Sequence, residues 1–183
     1  TVRADSPLRN AKDLIARLKA DPESMSFGVS NLGGTNHLTL SMAVKAGGVD
    51  PKRLKVVVFK TNAESTTAVL GGHIQMVAAS MPSVIGQIKA GTVRAIAVGD
   101  PQRMSGVMAG VPTLREQGLD VSLSNWRAII GPKGMTPVQV AYWEDVLGRV
   151  VASEEWKKEL DAQNWDGRFL RSREFTQYME GEY

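Results

Sequence analysis

The stretch Asn31-Leu32-Gly33-Gly34-Thr35-Asn36-His37 places two glycines, a hydroxyl, two amides and an imidazole directly behind the apolar run Phe27-Gly28-Val29. Such a turn can do chemistry without an acid or a nucleophile. The glycines at 33 and 34 permit positive φ and close approach of backbone to a ligand, and Thr35 or Asn36 can cap a helix predicted over residues 37–46. The start of that helix carries unpaired N–H groups and the positive end of the macrodipole, a setting suited to an anion such as a carboxylate. The same residues also fit an ordinary strand-to-helix connection with nothing bound. They form neither a dinucleotide fingerprint nor a phosphate loop.

Two further turns have the same character, Thr61-Asn62-Ala63-Glu64 and Ser80-Met81-Pro82-Ser83. Glu64 is the one acid in the three, and it reads as a first-turn residue complementing a helix dipole. Lys60 either adds charge to the second turn or is a snorkelling strand-end lysine. His37 either donates to a ligand or caps its helix. His73 follows Gly71-Gly72 and reads as structural. For catalysis the constellation is poor, with no cysteine, no His-Glu-x-x-His, no Gly-x-Ser-x-Gly and no carboxylate cluster at ligand spacing near the turns. The reading is therefore of a binding protein, not an enzyme, with no metal and no cofactor.

The elements that must position these turns follow from periodicity. Residues 1–8 read as an entry segment, and Asn10 can cap a helix carrying Leu14, Ile15 and Leu18 inward. A strand is predicted over residues 26–30, and a second over 54–60, where the Val56-Val57-Val58-Phe59 run suggests burial on both faces. A short helix stops at Gly71-Gly72, a third strand spans 74–80, a helix after Pro82 buries Val84, Ile85 and Ile88, and a fourth strand covers 94–98. Strand and helix alternate throughout, which predicts a mostly parallel sheet with helices on its faces. In such a sheet, ligands bind beyond the carboxyl ends of the strands, where all three turns lie.

Beyond Pro112 the pattern becomes helix-rich. A small helix is predicted over 113–117, a strand over 125–130, and a long helix from Thr136-Pro137 whose stripe from Met135 to Val151 reads as core. Ser153 can cap a following helix. Ser172 can cap a last one packing Phe175, Tyr178 and Met179. Trp126 either faces a cleft or packs in the core.

The 22 basic and 19 acidic residues are spread along the chain, which excludes a nucleic-acid arm. No run reaches the roughly 18 apolar residues of a membrane span. The chain opens on Thr1 with no charged-then-apolar leader, so it reads as processed or as a fragment.

In order along the chain, Lys12-Asp13-Leu14-Ile15, the 27–30 strand with Gly33-Gly34-Thr35-Asn36-His37, Phe59-Lys60, Leu70-Gly71-Gly72-His73-Ile74, Ile88-Lys89-Ala90-Gly91, Val111-Pro112-Thr113-Leu114, and Trp126 before Gly131-Pro132-Lys133-Gly134 resemble the Bug-type extracytoplasmic receptors of tripartite tricarboxylate transporters. The resemblance implies an α/β, type II periplasmic-binding architecture of two lobes that close on a small carboxylate and deliver it to membrane permease subunits. The ligand would be a di- or tricarboxylate or an acidic amino acid. Residues 1–119 would be a nearly complete second lobe with a mostly parallel sheet, and residues 120–183 a helix-rich, partial return to the first. In that family the first turn and the loops beside it contact the carboxylate, partly through bridging waters. Gly33, Gly34, Thr35, Asn36 and His37 inherit that role, as do Thr61, Asn62 and Ser80. The location implied is periplasmic. Family members also carry a signal peptide and the first lobe's leading strands, which are absent here; that implies exposed apolar surface and self-association of the chain. The alternative is a ligand-sensing effector domain of a transcription regulator, which shares the bilobal architecture.

Overall fold

The computed structural model describes residues 1–163, 165 and 167–182. Two compact units are present, Thr1–Asn125 and Trp126–Tyr183.

In the first unit the strands β1 (Val2–Arg3), β2 (Ser26–Val29), β3 (Lys55–Val58), β4 (Met76–Val77) and β5 (Val93–Arg94) form one sheet in the order β3-β2-β4-β1-β5. Four helices accompany them: α1 (Ala11–Ala20), α2 (Thr35–Ala46), α3 (Asn62–Leu70) and α4 (Ile85–Lys89). β2 lies parallel to β3 and β4, with Phe27 in register with Val56 and Met76, as the βαβ alternation requires. The sheet is nonetheless mixed. Residues 2 and 3 are a strand, not part of an entry segment, and they insert antiparallel between β4 and β5.

Alternation along β2 builds the two sides of the sheet. Phe27 belongs to a core with Val2, Leu14, Leu18, Leu40, Val44 and Met76, which includes the inner stripes of α1 and α2. Ile74, Val77, Val69 and Val84 form a second core beneath α3 and α4. A Cβ on Gly28 would stand 2.5 Å from Ile74 Cδ1 and 3.1 Å from Ser65 Cβ, so glycine is what lets α3 settle on β2. Asn10 caps α1 as expected, its Oδ1 accepting from Asp13 N–H at 2.8 Å. The buried Gln117 accepts from Ala11 N–H at 2.6 Å and donates to Ile96 O at 3.1 Å, tying α1 to the sheet.

Several local expectations are corrected. β3 is an edge strand with one neighbour, so Val57 and Val58 are 40% and 50% exposed and are not buried on both faces. Residues 113–117 are a turn, not a helix: Thr113 bridges to Val98, and Gly118 at φ +86° closes the chain after one turn as Leu119 N–H donates to Leu114 O. Residues 125–130 form no strand, and Ile129 and Ile130 are exposed.

Arg103 holds both carboxylate oxygens of Glu116 at 2.9 Å, and Thr113 N–H donates to the same group at 2.7 Å. The Arg103 hydrogen bond and then the Thr113 amide keep the Glu116 carboxyl below its ordinary value of 4.5. Because the folded-state pKa is depressed, this contribution to stability is present above about pH 4.5 and is lost as pH falls through the lowered value. Glu116→Gln is expected to lower stability at neutral pH and to flatten the acid limb of a thermal-unfolding series. Parallel curves for variant and parent from pH 7 to 3 would contradict this.

The second unit holds α5 (Pro137–Ala152), α6 (Glu154–Gln163) and α7 (Ser172–Glu182). Thr136 and Gln139 form a reciprocal capping box at the start of α5, with Pro137 at the first helical position. The apolar stripe of α5 exists, but no residue of α5 or α6 is buried, and Trp143 is 53% exposed, so the expected core is a surface. Ser172 is the first residue of α7, not its cap. Its hydroxyl donates to Glu144 Oε1 at 2.5 Å, and this bond, with the Ser172 amide, keeps the Glu144 carboxyl below the usual range. Trp126 packs edge-on against Phe175, centroids 5.2 Å apart, and remains 41% exposed, so it is not a core tryptophan.

Candidate functional site

Because β2, β3 and β4 run parallel, the turns that follow them emerge at one edge of the sheet. The first turn leads from β2 into α2. Gly33 has φ +76°, while Gly34 has φ −74° and is the N-cap, so positive φ is required at one glycine rather than two. Neither Thr35 nor Asn36 caps the helix; both lie inside it, and Gly34 brings no side-chain acceptor. The first amides of α2, on Thr35, Asn36 and His37, consequently have no acceptor among the described residues. These are the donors that an anion would meet. Leu32 is 59% exposed at the tip of the turn.

His37 folds back over the turn, its Nδ1 accepting from Gly33 N–H at 3.1 Å. A nitrogen that accepts carries no proton, which leaves Nε2 as the donor of the ring. The Thr35 carbonyl accepts from Thr39 Oγ1 at 2.8 Å, which steadies the first turn of the helix.

In the second turn Thr61 is the N-cap of α3, its hydroxyl accepting from Glu64 N–H at 3.1 Å while the Glu64 carboxylate accepts from Lys60 N–H at 3.1 Å. Thr61 and Glu64 thus secure the helix start. Asn62 reaches the third turn, its Nδ2 donating to Ser80 Oγ at 3.2 Å, and Ser80 Oγ lies 3.3 Å from Ser83 Oγ. The Asn62 carbonyl accepts from Ser65 Oγ and Thr66 Oγ1, which fixes the residue at the top of α3. Among the described residues Asn62 Oδ1 is buried without a partner. Asn62 and Ser80 are therefore brought together, and Ser83 joins them; Pro82 inside the short 3₁₀ turn Met81–Ser83 was the sequence signal that sets two serines one turn apart.

One further polar loop reaches this end of the sheet. β5 runs antiparallel to β1, as β4 does, so the chain beyond β5 leaves toward the same edge. A Cβ on Gly99 would stand 2.5 Å from Thr39 Cγ2, so the chain is pressed against α2 there, and Asp100 follows at once. The Gly99-Asp100-Pro101 turn follows the strand expected over 94–98, and its contact with α2 is one that local sequence pattern does not show. Thr1 also lies at this edge, its carbonyl accepting from Val77 N–H at 2.9 Å, and Leu123 N–H donates to Gly99 O at 2.8 Å. Both ends of the first unit accordingly sit where the turns are. Among the described residues no cluster of His, Asp and Glu could hold a metal, and no helix is long and apolar enough to cross a membrane.

The model of the tripartite tricarboxylate transporter family receptor, TctC, matches residues 1–182. The UPF0065 protein in the gbd 5′ region of Cupriavidus necator is 27% identical over 177 residues, covering 97% of this chain and 53% of its own. Protein BugT of Bordetella pertussis is 30% identical over 125 residues, covering 68% of this chain and 37% of its own. Among solved structures, a TctC solute-binding protein from Polaromonas, without ligand, has a TM-score of 0.85 and 26% identity, over 99% of this chain and 61% of that one. An R. palustris protein with adipate has a TM-score of 0.78 and 21% identity, over 99% and 60%. The chain spans about half the length of the Cupriavidus relative and about three fifths of the two solved ones.

Proposed function

The chain belongs to the tripartite tricarboxylate transporter receptor family, a family of solute-binding receptors with a periplasmic-binding fold, and from that premise we propose that it binds a small carboxylate for delivery to membrane permease subunits. The observation that carries the reading is the start of α2, where the amides of Thr35, Asn36 and His37 lack acceptors at the edge shared by all three turns. A carboxylate set there would take hydrogen bonds from neutral donors and the favourable end of a twelve-residue helix dipole. Gly33, Gly34, Thr35, Asn36 and His37 would form the floor of the site. Asn62 and Ser80 would hold its second wall, with Thr61 securing the helix that carries Asn62. The adipate held by the R. palustris relative supports a carboxylate as the ligand class. Membership of a receptor family supports binding without catalysis and a periplasmic location.

The test is calorimetric titration of the 183-residue chain with a panel of di- and tricarboxylates and acidic amino acids. Saturable binding of at least one, at a stoichiometry near one, is expected. The absence of heat and of any thermal shift across the whole panel at millimolar ligand would overturn the assignment.

A further inference from the structure

We infer that the corner of the first unit where α1 and α2 end and β3 begins is a docking surface for an anionic lipid bilayer. The inference goes beyond the carboxylate reading and does not depend on it, because the corner lies at the edge of the sheet opposite the three turns.

The topology gathers the charges. α1 ends shortly before β2 begins, and α2 runs back from the turn after β2, so both helices finish beside the starting ends of β2 and β3. Their last turns carry Arg17, Lys19 and Lys45, where cations complement the helix dipoles. The link into β3 adds Lys52, Arg53 and Lys55, and all six residues are exposed. These segments close on one another. A Cβ on Gly48, at φ +80°, would stand 3.9 Å from Lys19 Nζ, so the last turn of α1 lies over the turn that follows α2. Gly48 N–H donates to Lys45 O at 2.9 Å, and Asp50 Oδ1 accepts from Lys52 N–H at 3.0 Å, which holds basic residues on both sides of that turn.

The carboxylates of the corner do not neutralise it. They are Asp21, Glu23 and Asp50, half the number of cations. Asp21 and Asp50 accept from backbone N–H groups, and Glu23 reaches Lys55 only at 4.0 Å. Lys19, Lys45, Lys52 and Arg53 have no carboxylate partner among the described residues. Elsewhere in this unit arginines are paired: Arg3 with Asp5, Arg103 with Glu116 and Arg115 with Asp120.

The kind of partner follows from what accompanies the charge. Val49 is buried and Leu54 packs on the core, so the link between α2 and β3 exposes no aromatic or large apolar anchor of the sort that dominates protein interfaces. Exposed cations on three segments suit instead an extended surface of anionic headgroups, to which each lysine or arginine adds attraction within about a Debye length. Docked in this way, the unit keeps the edge with the turns away from the lipid.

Cosedimentation of the 183-residue chain with lipid vesicles tests the inference. Binding is expected to an equal mixture of phosphatidylcholine and phosphatidylglycerol and not to phosphatidylcholine alone, and it should fall about tenfold or more as salt rises from about 50 to about 300 mM. Lys52→Gln combined with Arg53→Gln should weaken it about 20-fold, near fivefold for each charge. Lys133→Gln combined with Lys158→Gln removes the same charge from the second unit and should change binding less than about twofold. Absence of binding to the anionic vesicles would overturn the inference, as would binding indifferent to salt and lipid charge, or an equal loss in the two double variants. Carboxylate titrations of the same preparations report on the turns separately, and the Lys52 and Arg53 substitutions should leave them unchanged.

Discussion

Gly34→Val is expected to abolish carboxylate binding, a loss of about 100-fold or more, because small displacements of ligand-positioning groups are costly. Gly34 sits at φ −74°, so the loss would not come from backbone strain. It would come from crowding. A Cβ at this position already stands 3.2 Å from Asn31 Cβ and 3.4 Å from Asn31 O, and the two valine methyls must go further into the turn or over the helix amides. Either outcome moves or covers the donors of Thr35 and Asn36. Stability should fall by only about 1 kcal/mol, the ordinary cost of a poor residue at an N-cap. Titration and thermal unfolding of the same preparation separate the two effects. Unchanged affinity with a normal unfolding transition would remove the first turn from the site.

Phe27→Ala is expected to cost about 3–5 kcal/mol, the range for removing a buried phenyl ring. Phe27 is fully buried, in the strand that pairs on both sides, between Val56 and Met76. Typical domain stabilities are about 5–15 kcal/mol, so this one change removes a large fraction of the total. Urea unfolding followed by circular dichroism would measure it. A loss below about 1 kcal/mol would mean that the α1 and α2 side of the sheet does not close over this ring.

The two residues also show what could be read from the chain and what could not. Phe27 and its strand were legible because a short apolar run bounded by turn residues is a local signal, and α5 was legible for the same reason in Thr136-Pro137. Which of the two glycines takes positive φ was not legible, because glycine permits positive φ without requiring it. The segment 113–117, expected as a helix, does begin like one, with Thr113 and Glu116 bonded reciprocally as in a capping box; Gly118 then ends the structure after one turn. The stripe on α5 has helical period, but period says which face is apolar and not what covers it. Asn62 and Ser80 were picked out by residue type, while their contact depends on the α3 crossover and on the missing side chain of Gly28. The contact of Gly99 with Thr39 escaped because α2 lies far away in sequence.

The position of β1 between β4 and β5 also sets an order of events as the chain is made. β2, β3 and β4 can pair as soon as residue 77 is available, and β1 can join β4 at Met76, but β1 gains its second neighbour only with β5 and Arg94, whose guanidinium holds Ala4 from 90 residues away. At about 5–20 residues per second the interval between β4 and β5 lasts about one to three seconds, during which β1 has a neighbour on one side only. The sheet is therefore completed from its middle outward in time as well as in space, and the residue that closes it is also the one that fixes the turn after β1.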